Sequence, residues 1–80
     1  MIGKITKIEK RSSRYGGHFF YVFFSGIDGK KYYSCIYPKM RNYKRWKNVL
    51  EEGTMLKRLR IFKGNLVDAD SKFEIMKEKD

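Results

Sequence analysis

The stretch HFFYVFFSGIDGKKYYSCIYPK, residues 18–39, constrains this chain more than any other. Two runs rich in aromatic and β-branched residues flank Asp28-Gly29, the kind of dipeptide that most strongly marks a tight hairpin turn. Successive side chains of a strand point to opposite faces, so a strand in a small half-solvated sheet should read apolar inward and polar outward. Here both faces are aromatic. A two-residue turn with Asp28 and Gly29 at its tip sets Ile27 against Lys30, Ser25 against Tyr32, Phe24 against Tyr33, Phe23 against Ser34, Val22 against Cys35, Tyr21 against Ile36 and Phe20 against Tyr37. Directly opposed residues share a face. One face is then Phe20, Val22, Phe24, Tyr33, Cys35 and Tyr37, and the other is Phe19, Tyr21, Phe23, Ser25, Tyr32, Ser34 and Ile36. Valine and cysteine favour the interior, and the second set holds both serines. This reading puts the first set inward and leaves Phe19, Tyr21, Phe23 and Tyr32 outward. A slip of one residue would exchange the faces.

Eighty residues make one domain with a single modest core. The lone cysteine excludes an internal disulfide, and Cys35 reads as a small hydrophobe in a strand. That usage fits a reducing, cytoplasmic setting, which for a viral chain is the host cytoplasm. The opening MIGKITKIEKRSSR carries lysines every few residues, so no signal peptide is expected, and no segment approaches membrane-spanning length. Charge is segregated. Residues 1–47 carry twelve Lys and Arg against Glu9 and Asp28, whereas residues 48–80 balance seven against seven, so the whole net charge of +10 lies in the first part. Solubility alone does not demand such segregation; a polyanionic partner, most often nucleic acid, explains it.

Along the chain, Ile5 and Ile8 in residues 3–10 stand three apart rather than two, which predicts a strand with a bulge or a strong bend. Residues 12–17 (SSRYGG) read as a loop. Strands follow over about 18–25 and 31–37, the second stopped by Pro38. Over residues 40–52 the period becomes helical through Met40, Tyr43, Trp46, Val49 and Leu50, and Gly53 supplies a C-terminal cap. Residues 54–63 resume a strand period through Leu59 and Ile61. A turn-rich connection occupies 63–71, and Phe73 and Ile75 mark a last strand over 72–77.

The order β-β-β-α-β-β, the GKI opening strand, the aromatic second strand closed by IDGK, and a helix ending in LEEG before TMLKRLRIF together resemble the OB-fold, the oligonucleotide-binding barrel, over essentially the whole chain. The expectation is a mainly β chain. The resemblance implies a small five-stranded OB-fold-like barrel with one helix between strands three and four, with Trp46 and Tyr43 plugging the barrel end. An SH3-like barrel is the alternative architecture. Within the fold, the chain looks most like compact single-stranded DNA-binding proteins of the phage or archaeal kind, which serve DNA replication and recombination. Such barrels bind across strands two and three and the flanking loops. Carried onto this sequence, Phe19, Tyr21, Phe23 and Tyr32 would stack unpaired bases, joined by Tyr15 from the first loop. Arg11, Arg14, Lys30, Lys31 and Lys39, with Arg41 further out, would neutralise phosphates.

The expected partner is single-stranded DNA, or RNA, held with little sequence readout. Two other readings use the same residues: a protein-interaction or homodimerisation module covering the aromatic face, and a duplex binder that presses a strand into a groove. Catalysis finds little support. His18 and Cys35 are single residues of their type, and no G-x-S-x-G or phosphate-binding glycine loop occurs. Asp68 and Asp70 have no third acidic ligand nearby and read as turn formers. No cofactor, metal or membrane partner is expected.

Overall fold

The computed structural model describes residues 1–14 and 16–76. β1 (Gly3–Ser12), β2 (His18–Gly26) and β3 (Lys31–Ile36) form an antiparallel meander. In β1, Ile5 pairs with Phe24 and Ile8 with Val22, and the register shifts between Ile5 and Lys7. The spacing of the two isoleucines thus marks a β-bulge at Thr6, and the extra residue allows both to face the interior. Ile5 is fully buried and Ile8 packs against the core.

The turn between β2 and β3 has three residues, not the expected two. Gly26 N–H donates to the Lys30 carbonyl at 2.8 Å and Gly29 N–H to the Gly26 carbonyl at 3.0 Å. This is a type I turn followed by Gly29 in the left-handed region, φ 82°. A two-residue type I′ turn would demand positive φ at Asp28 as well. Among the described residues, Arg58 alone of the non-glycines has positive φ. Asp28 instead folds its carboxylate back, accepting hydrogen bonds from Lys30 N–H at 2.9 Å and from the Tyr32 hydroxyl at 2.7 Å. A Cβ at position 26 would lie 2.5 Å from Asp28 Oδ1, so Gly26 makes room for that clamp.

The third turn residue moves β3 by one position. Phe24 faces Tyr32, Phe23 faces Tyr33, Tyr21 faces Cys35 and Phe20 faces Ile36. The faces of β2 are as expected, with Val22 and Phe24 buried and Phe20 packed on the core. Those of β3 are exchanged: Tyr32, Ser34 and Ile36 are buried, while Tyr33, Cys35 and Tyr37 lie on the outer face.

The expected helix over 40–52 shortens to α1 (Tyr43–Lys47). Met40, Tyr43, Trp46 and Val49 are spaced three apart, a period that tight turns also satisfy. The chain uses such turns on both sides: Met40 N–H bonds the Tyr37 carbonyl, Tyr43 N–H that of Met40, and Val49 N–H that of Trp46. Asn42 offers no side-chain cap; its Nδ2 donates to the Ala69 carbonyl at 2.7 Å, and Trp46 Nε1 donates to the same oxygen at 2.7 Å. Trp46 is fully buried, with ring centroids 4.3 Å from Phe73 and 6.2 Å from Phe24. It fills the core, with Tyr43 packed against the same cluster.

The single strand expected over 54–63 is broken at Arg58, φ 64°, a conformation uncommon for a side chain of this kind. Its first half, β4 (Met55–Lys57), pairs antiparallel with β1; its second, β5 (Ile61–Lys63), pairs with β6 (Leu66–Val67). β6 lies within the stretch expected to be a connection, and it runs parallel to β3. Only Glu74–Ile75 of the expected last strand forms, as β7 beside β4, and Lys77 lies outside the described residues. Among the described residues the expected five strands are therefore seven, in one sheet of order β5-β6-β3-β2-β1-β4-β7 that curls into an open half-barrel. Its two sides are joined by residues 58–60, because β4 and β5 are consecutive in the chain. Ile5, Val22, Phe24, Ile36, Leu56, Val67, Phe73 and Trp46 fill the concave side. Among the described residues, no helix is long and apolar enough to cross a membrane.

Candidate functional site

The convex face of the meander carries three parallel rows. Lys7, Glu9 and Arg11 of β1 pair in register with Phe23, Tyr21 and Phe19 of β2. Opposite these, Tyr33 and Cys35 of β3, and then Tyr37, complete the third row. Five aromatic rings thus share one surface. Phe19 stacks on Tyr37 (centroids 5.0 Å, planes 20° apart), and Tyr21 stacks on Tyr33 (5.4 Å, 12°) while touching Phe23 (5.0 Å). Contacts of this kind hold the rings in fixed orientations.

Arg11 gives this surface its charge. Its guanidinium lies 4.4 Å from the Tyr21 ring centroid, a cation–π contact. β1 and β3 flank β2 on opposite sides, so Arg11 meets the Tyr21 ring from β1 and Tyr33 stacks on it from β3. Glu9 holds the row: its carboxylate accepts from Arg11 Nη2 at 2.5 Å and pairs with Lys7 Nζ at 3.3 Å. The Arg11 hydrogen bond, reinforced by Lys7, keeps the Glu9 carboxyl below its ordinary range and raises the Arg11 guanidinium further. Burial pushes the Tyr21 hydroxyl and the Cys35 thiol up, so both stay protonated near neutrality.

At the Phe19 and Tyr37 end lies a cleft of about 430 Å³, walled by Ser13, Gly16, Gly17, His18, Tyr37, Pro38 and Lys39. Gly16 and Gly17 have φ of 89° and 76°, which allows the loop to close through Ser13 N–H on the Gly17 carbonyl at 3.0 Å. The sheet edge contributes exposed Phe62, over a hollow that Cys35 and Leu66 also line.

Of the residues expected at a binding surface, Arg11, Phe19, Tyr21 and Phe23 are brought together. Tyr32 is not. It is 8% exposed on the inner side and its hydroxyl is committed to Asp28, because the three-residue turn reverses β3. The hydrogen bond to Asp28 raises the Tyr32 hydroxyl's pKa and lowers that of the Asp28 carboxyl. Lys31 is exposed opposite Ser25, near the turn, with Lys30 in the turn itself. Arg14 is exposed in the first loop; Lys39 and Arg41 are exposed beyond Tyr37. Tyr15 lies outside the described residues. Tyr33, Tyr37 and Lys7 join the surface unforeseen, and a three-residue turn applied to the same sequence would have found both tyrosines.

Among the described residues no cluster of three or more His, Cys, Asp or Glu side chains could hold a metal ion. Asp68 is committed to the Asp70 N–H and to Arg60, and the Asp70 N–H with the Arg60 guanidinium lowers its carboxyl pKa. Neither a protein-family model, nor a curated protein, nor a solved structure matches this chain.

Proposed function

We propose that this chain binds single-stranded nucleic acid, with DNA as the first candidate, on the convex face of β2 and β3. The observation that carries the reading is the five-ring surface bordered by Lys7 and Arg11. A sheet face that gathers half-buried Phe19, Tyr21, Phe23 and Tyr33 beside exposed Tyr37 presents a contiguous aromatic patch of the kind that marks a binding surface. Unpaired bases suit it, since every base has a flat π-face and stacking contributes roughly 1–3 kcal/mol per base. Because Tyr21 already contacts Arg11, Phe23 and Tyr33, bases meet Tyr33, Phe23 and the Phe19–Tyr37 pair. The +10 charge of the first 47 residues supplies the sequence-independent attraction to phosphates.

The finer architecture belongs to the same proposal. If residues 55–63 are taken as one strand kinked at Arg58, its halves close the meander through β1 on one side and β6 on the other. That connectivity, with β6 parallel to β3, is compatible with an OB-like barrel in which α1 and Trp46 would cover one end. The surface then coincides with the face on which such barrels hold oligonucleotides.

Fluorescence anisotropy with labelled oligo-dT, oligo-U and a duplex of equal length tests the reading. Binding of a single strand in preference to duplex, weakened by Tyr33→Ala, is expected. A stable dimer that buries Phe19 and Tyr37 and ignores all three probes would overturn it.

A further inference from the structure

The aromatic surface leads into a basic track. Tyr37 and Lys39 wall the terminal cleft, and Lys39 also opens the neighbouring groove of about 790 Å³, which Arg41, Arg45 and Lys72 line. That groove shares Asp70, Ser71 and Lys72 with a third hollow of about 390 Å³, bounded by Arg58 and Arg60. Shared lining residues place the three hollows next to one another, from the sheet face, past α1, to the kink between β4 and β5.

The track differs chemically from the surface that feeds it. Among the described residues no aromatic side chain lines the second or third hollow, so they offer no stacking face there. Its cations also fall into two kinds. Arg58 pairs with Glu74 at 3.1 Å, Arg60 pairs with Asp68, and Arg45 lies 4.9 Å from the Phe73 ring centroid while donating to the Phe73 carbonyl. Lys39, Arg41 and Lys72 have no ion pair among the described residues, and Asp70 is the single carboxylate in the groove wall.

We infer that a single strand leaving the aromatic face at Tyr37 continues along this track, with its phosphates on Lys39, Arg41 and Lys72 and its bases turned to solvent. The inference rests on the single-strand reading above and extends it. The site has two parts, one that stacks bases and one that reads only charge. Lengthening the oligonucleotide past the aromatic face therefore adds salt-dependent affinity and no stacking.

Oligo-dT of about 4 and about 10 nucleotides, within the roughly 4–16 that one barrel of this type holds, separates the two parts. At roughly 0.7 per neutralised phosphate, three phosphates on the track steepen the log–log salt slope of the longer oligomer by about 2. Lys72→Ala and, separately, Arg41→Ala each remove about 0.7 of that gain. Thermal melting confirms that these exposed-site variants fold. A longer oligomer whose slope equals that of the short one, or a slope that neither variant changes, overturns the track while leaving the stacking site in place. Failure of the short oligomer to bind at any salt would overturn the single-strand reading itself, and the track with it. Equal length dependence with poly-glutamate in place of oligo-dT would identify the track as a generic acidic-peptide surface and refute the inference.

Discussion

Glu9→Gln should make this protein bind single strands more tightly. Glu9 is the one carboxylate in the β1 row beside the aromatic surface, and it holds Lys7 at 3.3 Å and Arg11 at 2.5 Å. Two cations and one anion present a net charge of +1 to a ligand; replacing the carboxylate by an amide raises this to +2. One additional phosphate can then be neutralised, which steepens the salt slope by roughly 0.7. Over a four-fold dilution from about 0.2 M to about 0.05 M salt, the ratio of variant to wild-type affinity should therefore grow by about 2.6-fold. The carboxyl's depressed pKa keeps it ionised throughout a neutral titration, so the comparison is between a full charge and none. The cations of both ion pairs are exposed and Glu9 is half-buried, and pairs at the surface contribute little to folding, so the melting temperature should barely move. Anisotropy titrations of oligo-dT at four salt concentrations measure the slope, with Glu52→Gln, on an exposed turn, as the charge-matched control. A Glu9→Gln slope equal to wild type in a folded protein would place the β1 row off the ligand path. An identical gain from Glu52→Gln would reduce the effect to net charge.

Tyr32→Phe removes the largest cause of the low Asp28 pKa. A carboxyl depressed below its ordinary 3.8 stabilises the fold above that value and loses the contribution as pH falls through the folded value. The stability gap between wild type and Tyr32→Phe should thus be widest near neutrality and close on acidification, as followed by urea unfolding from pH 7 to pH 2.5; a gap independent of pH would refute the clamp. Trp46→Phe loses the 2.7 Å hydrogen bond to Ala69 and leaves a void. A cost of about 2 kcal/mol should lower the melting temperature by roughly 8–16 °C. A shift under 3 °C would mean that the indole does not anchor α1. Gly26→Ala pushes a methyl to 2.5 Å from Asp28 Oδ1, so it should disrupt the turn and lower stability more than Gly29-distant surface changes such as Lys63→Ala, by thermal melting.

The sequence made the folding side of this molecule legible wherever one pattern admitted one geometry. Ile5 and Ile8 stand three apart in an otherwise alternating strand, which a bulge or a strong bend reconciles with two inward side chains, and the chain uses the bulge. Phe20, Val22 and Phe24 are inward as expected, and the extra turn residue changes the faces of β3 relative to them. Trp46 is the largest apolar side chain in a helical period and duly fills the core. What failed had two solutions of nearly equal local merit. Asp-Gly serves a two-residue turn with both residues at positive φ and a three-residue turn with only the glycine there. The choice is made by the Asp28 carboxylate, the Tyr32 hydroxyl and the space at Gly26, which meet only in three dimensions. That choice moved Tyr32 inside and brought Tyr33 and Tyr37 out, so the surface kept its aromatic character while its membership changed. The helix shortened because a spacing of three fits tight turns as well as α-helix. The break at Arg58 has no local signal, since neither glycine nor proline marks it; it comes from pairing β4 with β1 and β5 with β6.

The central claim is that the convex face of β2 and β3 stacks unpaired bases. Titration of oligo-dT against Tyr33→Ala and Tyr32→Phe, side by side at one salt concentration, tests it most directly, because the two tyrosines are neighbours on opposite faces. Tyr33→Ala should weaken binding about 5- to 150-fold, the loss of one stacked base at roughly 1–3 kcal/mol, with the salt slope unchanged, while Tyr32→Phe binds as wild type. Undiminished affinity of a folded Tyr33→Ala variant would contradict the account.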